Sequence, residues 1–454
     1  MLSGAARHRA CSPALRRGAG SRGDDSGRPA GGSQGAEYEG PLALGEHRGL
    51  CSGRSFNPLK GEAAMEKRFG VISADGHCRL MHLPFDLWTK RLPRRLQENA
   101  PRVVQSPDGT RQWVVEGRPW SGVGWSGVGR GSVSCYARAG VPEEPEPGIF
   151  RAAHARYRCE DMDRDRVDAE LVNGPYEQIS AIKDPELRVA CVRVVNDWAR
   201  ELYEESNGRF IMLLPLPCQT PDEAVGELMR VAKFGLPTGI IFDWVNAPEP
   251  VLHQMWEPVW AAAAETSLPI NLHANPRGGS RQIGVGVSGL EPRNQSLMTV
   301  MNFPMGLMAE LMSAVVLSGI CDRHPRVRFV LEEAGVGWVP FIFWRFDREY
   351  DWGGPTSRVF RPDILLSAKP TEFVKRQVFF TFEVEEEGGF RRVPEVGLRN
   401  FLWASDFPGL DSPWPRSREM GHTPVEAALG KEALNQLVFE NAVNLYKIPV
   451  TREH

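Results

Sequence analysis

The sequence predicts an α/β fold, a (β/α)₈ TIM barrel with a long lid-like insertion after its first strand, on three observations. Eight apolar runs of strand length recur along the chain, most are followed by a helical pattern, and the runs are continuous rather than alternating. Continuous runs suit parallel strands covered by helices on both faces. A doubly wound open sheet is the competing layout. It rarely needs eight strand-and-helix units, and no Gly-rich phosphate turn follows the run that begins at Phe69.

In order, the runs are Phe69 to His77, Ala169 to Gly174, Phe210 to Pro215, Thr238 to Trp244, Pro269 to Asn275, Val327 to Gly335, Val378 to Glu383 and Phe401 to Phe407. Between them, Asp184 to Asn207, Thr220 to Phe234, Val251 to Thr266 and Gly306 to Cys321 carry helical periodicity. Helix starts are written in side chains. Thr220-Pro221-Asp222-Glu223 supplies a capping hydroxyl, a proline for the first turn and acids at the positive end of the dipole, and Asp184-Pro185-Glu186 repeats the pattern.

Two connections exceed what a plain barrel needs. The first runs from about Arg79 to Asp168, its insertion lying at about residues 100–160, and holds the Trp113 to Trp125 cluster and a Pro/Glu stretch from Pro142 to Pro147. The second, from Pro276 to about Phe303, is rich in glycine and carries Arg277, Arg281 and Arg293. Loops this long are usually lids or binding elements, and both leave C-terminal strand ends, the face where barrel enzymes work.

Composition narrows the function classes. At 454 residues and 42% apolar content the chain can fill a large core, and a formal charge of −3 with mixed signs gives no basic surface for nucleic acid. Eight scattered cysteines without a Cys-x-x-Cys pair read as free thiols in a reducing, cytoplasmic setting. No apolar run reaches the roughly 18 residues of a membrane span. Residues 1–64, rich in Gly, Arg, Ser and Ala, read as a disordered tail, with Met65 opening the folded domain of residues 65–454.

Polar groups gather at one rim. The first run ends in Asp75-Gly76-His77, and a strand's period of two puts the carboxylate and the imidazole on one face. Later runs end in Asp243, His273, Glu333, Glu383 and Asp406. Asp75, His77, His273, Glu333 and Asp406 form a ligand set of imidazoles and carboxylates that suits zinc, manganese or iron and leaves positions for water or substrate. Asp243 and Glu383 are candidates to orient the histidines or to cap their strands, Arg277 and Arg281 to hold a substrate carboxylate or to stand as solvated loop charges, and Trp113 and Trp125 to shape a pocket or to pack the lid.

From about Phe69 to Tyr446 the chain resembles amidohydrolase-related proteins of the aminocarboxymuconate-semialdehyde decarboxylase type. The resemblance rests on Ser73-Ala74-Asp75-Gly76-His77, Leu272-His273-Ala274-Asn275, Glu332-Glu333-Ala334-Gly335-Val336-Gly337-Trp338, Ser405-Asp406-Phe407-Pro408 and Asn441-Ala442-Val443-Asn444-Leu445-Tyr446. It implies a barrel whose divalent metal is held by the first-run pair, His273 and Asp406, and a homodimer. Asp161-Met162-Asp163 also resembles a family feature, without a chemical role. Two positions depart from the pattern: Asp75 stands where the pair usually begins with histidine, and Glu333 where a proton-transferring histidine is frequent.

Three carboxylates within a few ångströms repel by about 4 kcal/mol per pair at an effective dielectric near 20. One divalent ion does not neutralise Asp75, Glu333 and Asp406 together. Either one acid is protonated or two ions share the site, so the set is expected to hold one or two ions per chain, with Glu333 as bridge or second-metal ligand in a dinuclear site. The expected activity is hydrolysis of a carbonyl-derived bond in a small carboxylic or aromatic molecule by metal-activated water, with Asp406 and Glu333 moving protons. Non-oxidative decarboxylation is the alternative, followed by oxygen chemistry at dinuclear iron and by a barrel that binds without turnover.

Overall fold

The computed structural model of the chain describes residues 65–124, 134–274, 303–352, 366–383, 387–409 and 412–451. Each of the eight apolar runs contains a strand: β1 (Ile72–His77), β2 (Ala169–Asn173), β3 (Phe210–Met212) with β4 (Leu214–Pro215), β5 (Ile240–Ile241), β6 (Ile270–His273), β7 (Phe329–Glu332), β8 (Val378–Phe382) and β9 (Phe401–Trp403). Every residue in these strands is buried, which explains why the runs do not alternate. All pairings among them are parallel.

The strands form two ladders, β1-β2-β3 and β4-β5-β6-β7-β8-β9. The run from Phe210 to Pro215 belongs to both, with Leu213 between its two strands and its N–H donated to Val172 O at 2.9 Å. The first and last strands also meet. Asp406 N donates to Asp75 O at 3.1 Å, His77 N donates to Phe407 O at 2.7 Å, and the hydroxyls of Ser73 and Ser405 lie 2.9 Å apart. This seam sets the depth of the functional residues.

Helices α1 (Ala155–Asp165), α2 (Pro185–Glu205), α3 (Pro221–Val231), α4 (Glu257–Thr266), α5 (Ala309–Leu317) and α6 (Val339–Trp352) lie between the strands. The expected caps are present: Asp184 accepts from Leu187 N at 3.1 Å and Thr220 from Glu223 N at 3.3 Å. Met308 and Met312, one helical turn apart, are fully buried and pack the core.

Between β1 and β2 the insertion contains an antiparallel sheet, Arg102–Gln105, Arg111–Val115 and Arg118–Gly122. It is tied to the helical layer. Trp113 packs edge-on to Trp88 at 5.4 Å, and Trp88 Nε1 donates to the carbonyl of Cys191 on α2 at 3.3 Å. Among the described residues no helix is long and apolar enough to cross a membrane, and Cys78, Cys135, Cys159, Cys191, Cys218 and Cys321 carry free thiols. The expected tail, residues 1–64, lies outside the described residues.

Candidate metal centre

At the C-terminal ends of β1, β6, β7 and β9 the chain brings together the five residues singled out from the sequence. Asp75 and His77 close β1, His273 closes β6, Glu333 follows β7 and Asp406 lies three residues past β9. Two groups have ligand atoms all within 4.8 Å of one another: Asp75, His77 and His273, and His77, Glu333 and Asp406. From His77 Nε2 it is 3.8 Å to Asp75 Oδ1, 3.6 Å to Glu333 Oε1 and 2.7 Å to Asp406 Oδ1. From His273 Nε2 it is 3.9 Å to Asp75 Oδ2 and 3.3 Å to Glu333 Oε1.

Local backbone explains how two of these side chains reach the centre. Glu333 and Asp406 adopt left-handed φ values of 54° and 49°, which cost a non-glycine residue about 1 kcal/mol or more. Glu333 is pinned there by its N–H, donated to Thr381 Oγ1 at 2.8 Å. Asp406 turns back over Gly409, where an added Cβ would fall 1.8 Å from Asp406 Oδ2.

The site fits a cation by its unspent donors. Asp75 Oδ2, His77 Nε2, His273 Nε2 and Asp406 Oδ1 are buried and make no hydrogen bond. Buried polar atoms normally find partners, so orphans gathered in two overlapping groups that share His77 call for a partner that the protein does not supply. His77 Nε2 and Asp406 Oδ1 are close enough to bond yet misaligned for it, as expected of lone pairs aimed elsewhere. Donors each ~2.1 Å from one ion stand on the order of 3–4 Å apart, which matches most of the spacings. The tautomer is also right at His273. Its Nδ1 lies 2.6 Å from the carbonyl of Ala274, an acceptor, so Nδ1 carries the proton and Nε2 keeps its lone pair.

Electrostatics in the metal-free chain point the same way. Burial pushes Asp75 up to about 6, against the pull of His273 and His77. Burial would lower His77, yet the Asp406 and Glu333 carboxylates raise it to about 9. Glu333 is drawn well below the usual carboxylate range because His273 and His77 outweigh its burial. Without an ion, protons on the imidazoles offset the acids. A divalent cation supplies that positive charge and frees both imidazoles as ligands.

Reading strand ends alone misses Glu332 and Asn173. Glu332 is fully buried; its Oε1 accepts from Asn271 Nδ2 at 2.7 Å and its Oε2 from Asn173 Nδ2 at 3.0 Å. Asn173 Nδ2 also donates to Asp75 Oδ1 at 3.0 Å. Burial, reinforced by Asp75, pushes Glu332 up to about 8. The available signal was the doubled acid Glu332-Glu333; the left-handed backbone at Glu333, just past the strand, lets both carboxylates face the centre.

Other expectations fare differently. Trp113 is wholly buried between Trp88 and Phe85, so it offers a substrate no surface and serves as the core of the insertion. Asp243 does not orient a histidine. Its carboxylate accepts from Asn246 N at 3.1 Å and Nδ2 at 2.8 Å, capping its own turn. Glu383 is half-buried one residue past β8. Trp125, Arg277 and Arg281 lie outside the described residues.

Comparison with known proteins fits this geometry. The amidohydrolase family profile matches residues 144–448, two-thirds of the chain. The chain belongs to the amidohydrolase family. Among curated relatives of this amidohydrolase, gamma-resorcylate decarboxylase of a Rhizobium species is 24% identical over 265 residues, covering 54% of this chain and 74% of that protein. Among solved structures, 5-carboxyvanillate decarboxylase of Sphingomonas paucimobilis aligns with a TM-score of 0.57 at 20% identity, over 84% of this chain and 100% of that one. A variant of the 5-carboxyvanillate decarboxylase of Novosphingobium aromaticivorans, solved with bound manganese, aligns with a TM-score of 0.53 at 16% identity, over 69% and 91%. At these identities the structural likeness is one of fold.

Proposed function

We propose that this amidohydrolase is a metal-dependent, non-oxidative decarboxylase of a small aromatic carboxylate. In this reading the parallel strands form a closed (β/α)₈ barrel, the 102–122 sheet belongs to a lid over its mouth, and Asp75, His77, His273 and Asp406 hold one divalent ion, manganese first among the candidates. The observation that carries it is the set of four buried, unspent donor atoms at neighbouring strand ends. His77 Nε2 belongs to both possible ligand groups, and one lone pair serves one ion. That favours a single ion over the dinuclear site expected from charge alone.

When bound, the ion supplies a Lewis acid and a fixed anchor for the oxygens of the substrate. The chain's own residues do the rest. Asp75, at 0% side-chain exposure, is too enclosed to touch substrate and serves only as a ligand. Glu333 at 23% and Asp406 at 9% keep an exposed edge, so these two hold the proton that replaces carbon dioxide on the ring. The balance is simple: the carbon–carbon bond breaks, its electron pair stays on the ring carbon, and a proton arrives there. No water is consumed.

The relatives' names favour this over the hydrolytic reading, since the gamma-resorcylate and carboxyvanillate enzymes are decarboxylases. Incubation with 2,6-dihydroxybenzoate or 5-carboxyvanillate and manganese in deuterated water separates the two chemistries. Decarboxylation releases carbon dioxide and leaves one deuterium on the ring. Hydrolysis would instead carry heavy oxygen from labelled water into a product.

A further inference from the structure

Arg158, in the first turn of α1, is wholly buried, and its guanidinium reaches the backbone at His77, which closes β1, and at Phe407, next to Asp406 past β9. Nη1 donates to His77 O at 2.9 Å and to Ala152 O at 3.2 Å, while Nη2 donates to Phe407 O at 3.0 Å. Nε donates to Glu170 Oε2 on β2 at 2.5 Å. The group lies over the ring of Phe407 at 4.6 Å. Two of its acceptors are thus the carbonyl of one ligand and the carbonyl directly after another.

The first strand is shaped to admit this fork. A Cβ at Gly76, between Asp75 and His77, would fall 2.8 Å from Arg158 Nη2 and 3.2 Å from Phe407 O. A glycine therefore stands between the two ligands because the guanidinium fills the space of a side chain. The β1-β2 ladder shifts register between Ser73 and Gly76 and resumes with His77 against Asn173, so that ladder by itself does not tie His77 to Phe407 across the seam. A planar fork that reaches two carbonyls and a carboxylate does, and a lysine's single ammonium cannot.

We propose that Arg158 is a positioning residue of the metal centre. Held by Glu170, it locks the backbone at His77 and Phe407 so that His77 Nε2 and Asp406 Oδ1 face one ion. It touches neither ion nor substrate and acts through these two ligands. The proposal rests on the metal-centre reading above.

The test is manganese affinity of the full-length chain, read from the electron paramagnetic resonance of free Mn(II), alongside the melting temperature. Arg158→Lys keeps the charge and loses the fork. The pair Arg158→Met/Glu170→Leu removes both charges, so that neither is left buried alone. Arg230→Met is the control: it breaks comparable bonds to Glu227 and Asp197 on α3 and α2. We expect affinity about 10- to 100-fold weaker in the Arg158 variants, as for other residues that orient ligands. The control should melt earlier yet bind manganese as the wild type does. Wild-type affinity in both Arg158 variants, or a control that loses affinity in step with its melting temperature, overturns the proposal. A wild-type chain that binds no manganese, zinc or iron overturns the metal-centre reading, and this proposal with it.

Discussion

Asp406 Oδ1 lies 2.7 Å from His77 Nε2, across the seam between the last strand and the first. The two side chains are candidate ligands of similar burial that differ in chemistry. His77→Ala and His273→Ala should lose metal and activity together, because each removes one of the two imidazoles of the proposed ligand set. Asp406→Asn retains an oxygen ligand but cannot release a proton. It should keep most of its manganese while turnover falls about 10²- to 10⁴-fold, the range ascribed to a positioned acid or base. Metal content by plasma mass spectrometry, set beside initial rates, checks both halves.

Gly409 tests the turn that delivers Asp406. Its N–H donates to Asp406 O, and a Cβ there would collide with both the carboxylate and that carbonyl. Gly409→Ala should therefore displace Asp406 without emptying the core. The expected outcome is near-native circular dichroism with at least a 100-fold loss of turnover, since an ångström of displacement in a reacting group costs about that much. Wild-type rates in this variant would mean that Asp406 does not act from this position.

The strands were legible in the sequence because each is a short buried run with polar residues at one end, and Asp75, His77, His273, Glu333 and Asp406 were legible for the same reason. What lay beneath the rim was not. Asn173 and Glu332 are the last residues of β2 and β7, and a polar residue there, even doubled as in Glu332-Glu333, does not tell which strand it bonds to. Arg158 was hidden more thoroughly, since an arginine in a charged helix reads as solvated surface until its carbonyl partners are known. Trp113 stayed open between pocket wall and lid packing, because aromatic content alone does not tell one from the other, and its burial places it in the packing. The sharing of His77 between both candidate ligand groups also needed geometry, since charge counting does not reveal it.

Asn173 offers a test of the layer under the ion. Its amide nitrogen bridges Asp75 Oδ1 and Glu332 Oε2, each at 3.0 Å, and both acceptors are fully buried. Asn173→Leu keeps the volume and removes both donors. Leaving buried acceptors short of a partner costs about 1–3 kcal/mol. Thermal unfolding with a chelator present should show that loss independently of metal. A shift below about 0.5 kcal/mol would mean the amide contributes no more than an average surface group.

Asp165, at the end of α1, predicts a pH dependence that can be read apart from the metal centre. Its carboxylate accepts from Ser417 N at 2.9 Å and Oγ at 2.5 Å, yet burial raises its pKa from 3.8 to about 7. Between those values the unfolded chain has released this proton and the folded chain has kept it. The folded state binds more protons, so this group's contribution to stability is full below pH 4 and is lost as pH rises through 7. His422 works in the opposite sense, because burial lowers its pKa from 6.5 to about 4 and its contribution is lost as pH falls from 6.5 towards 4. From about pH 4 to 6.5 the two slopes offset each other. Asp165→Asn keeps an acceptor for Ser417 N and has no charge to bury. The stability of this variant relative to wild type should rise steadily from pH 4 to 7, by at most about 1.4 kcal/mol per pH unit, and level off above. Urea titrations at unit pH steps measure it, and a difference that stays flat across that range would show that Asp165 is ionised in the folded chain throughout.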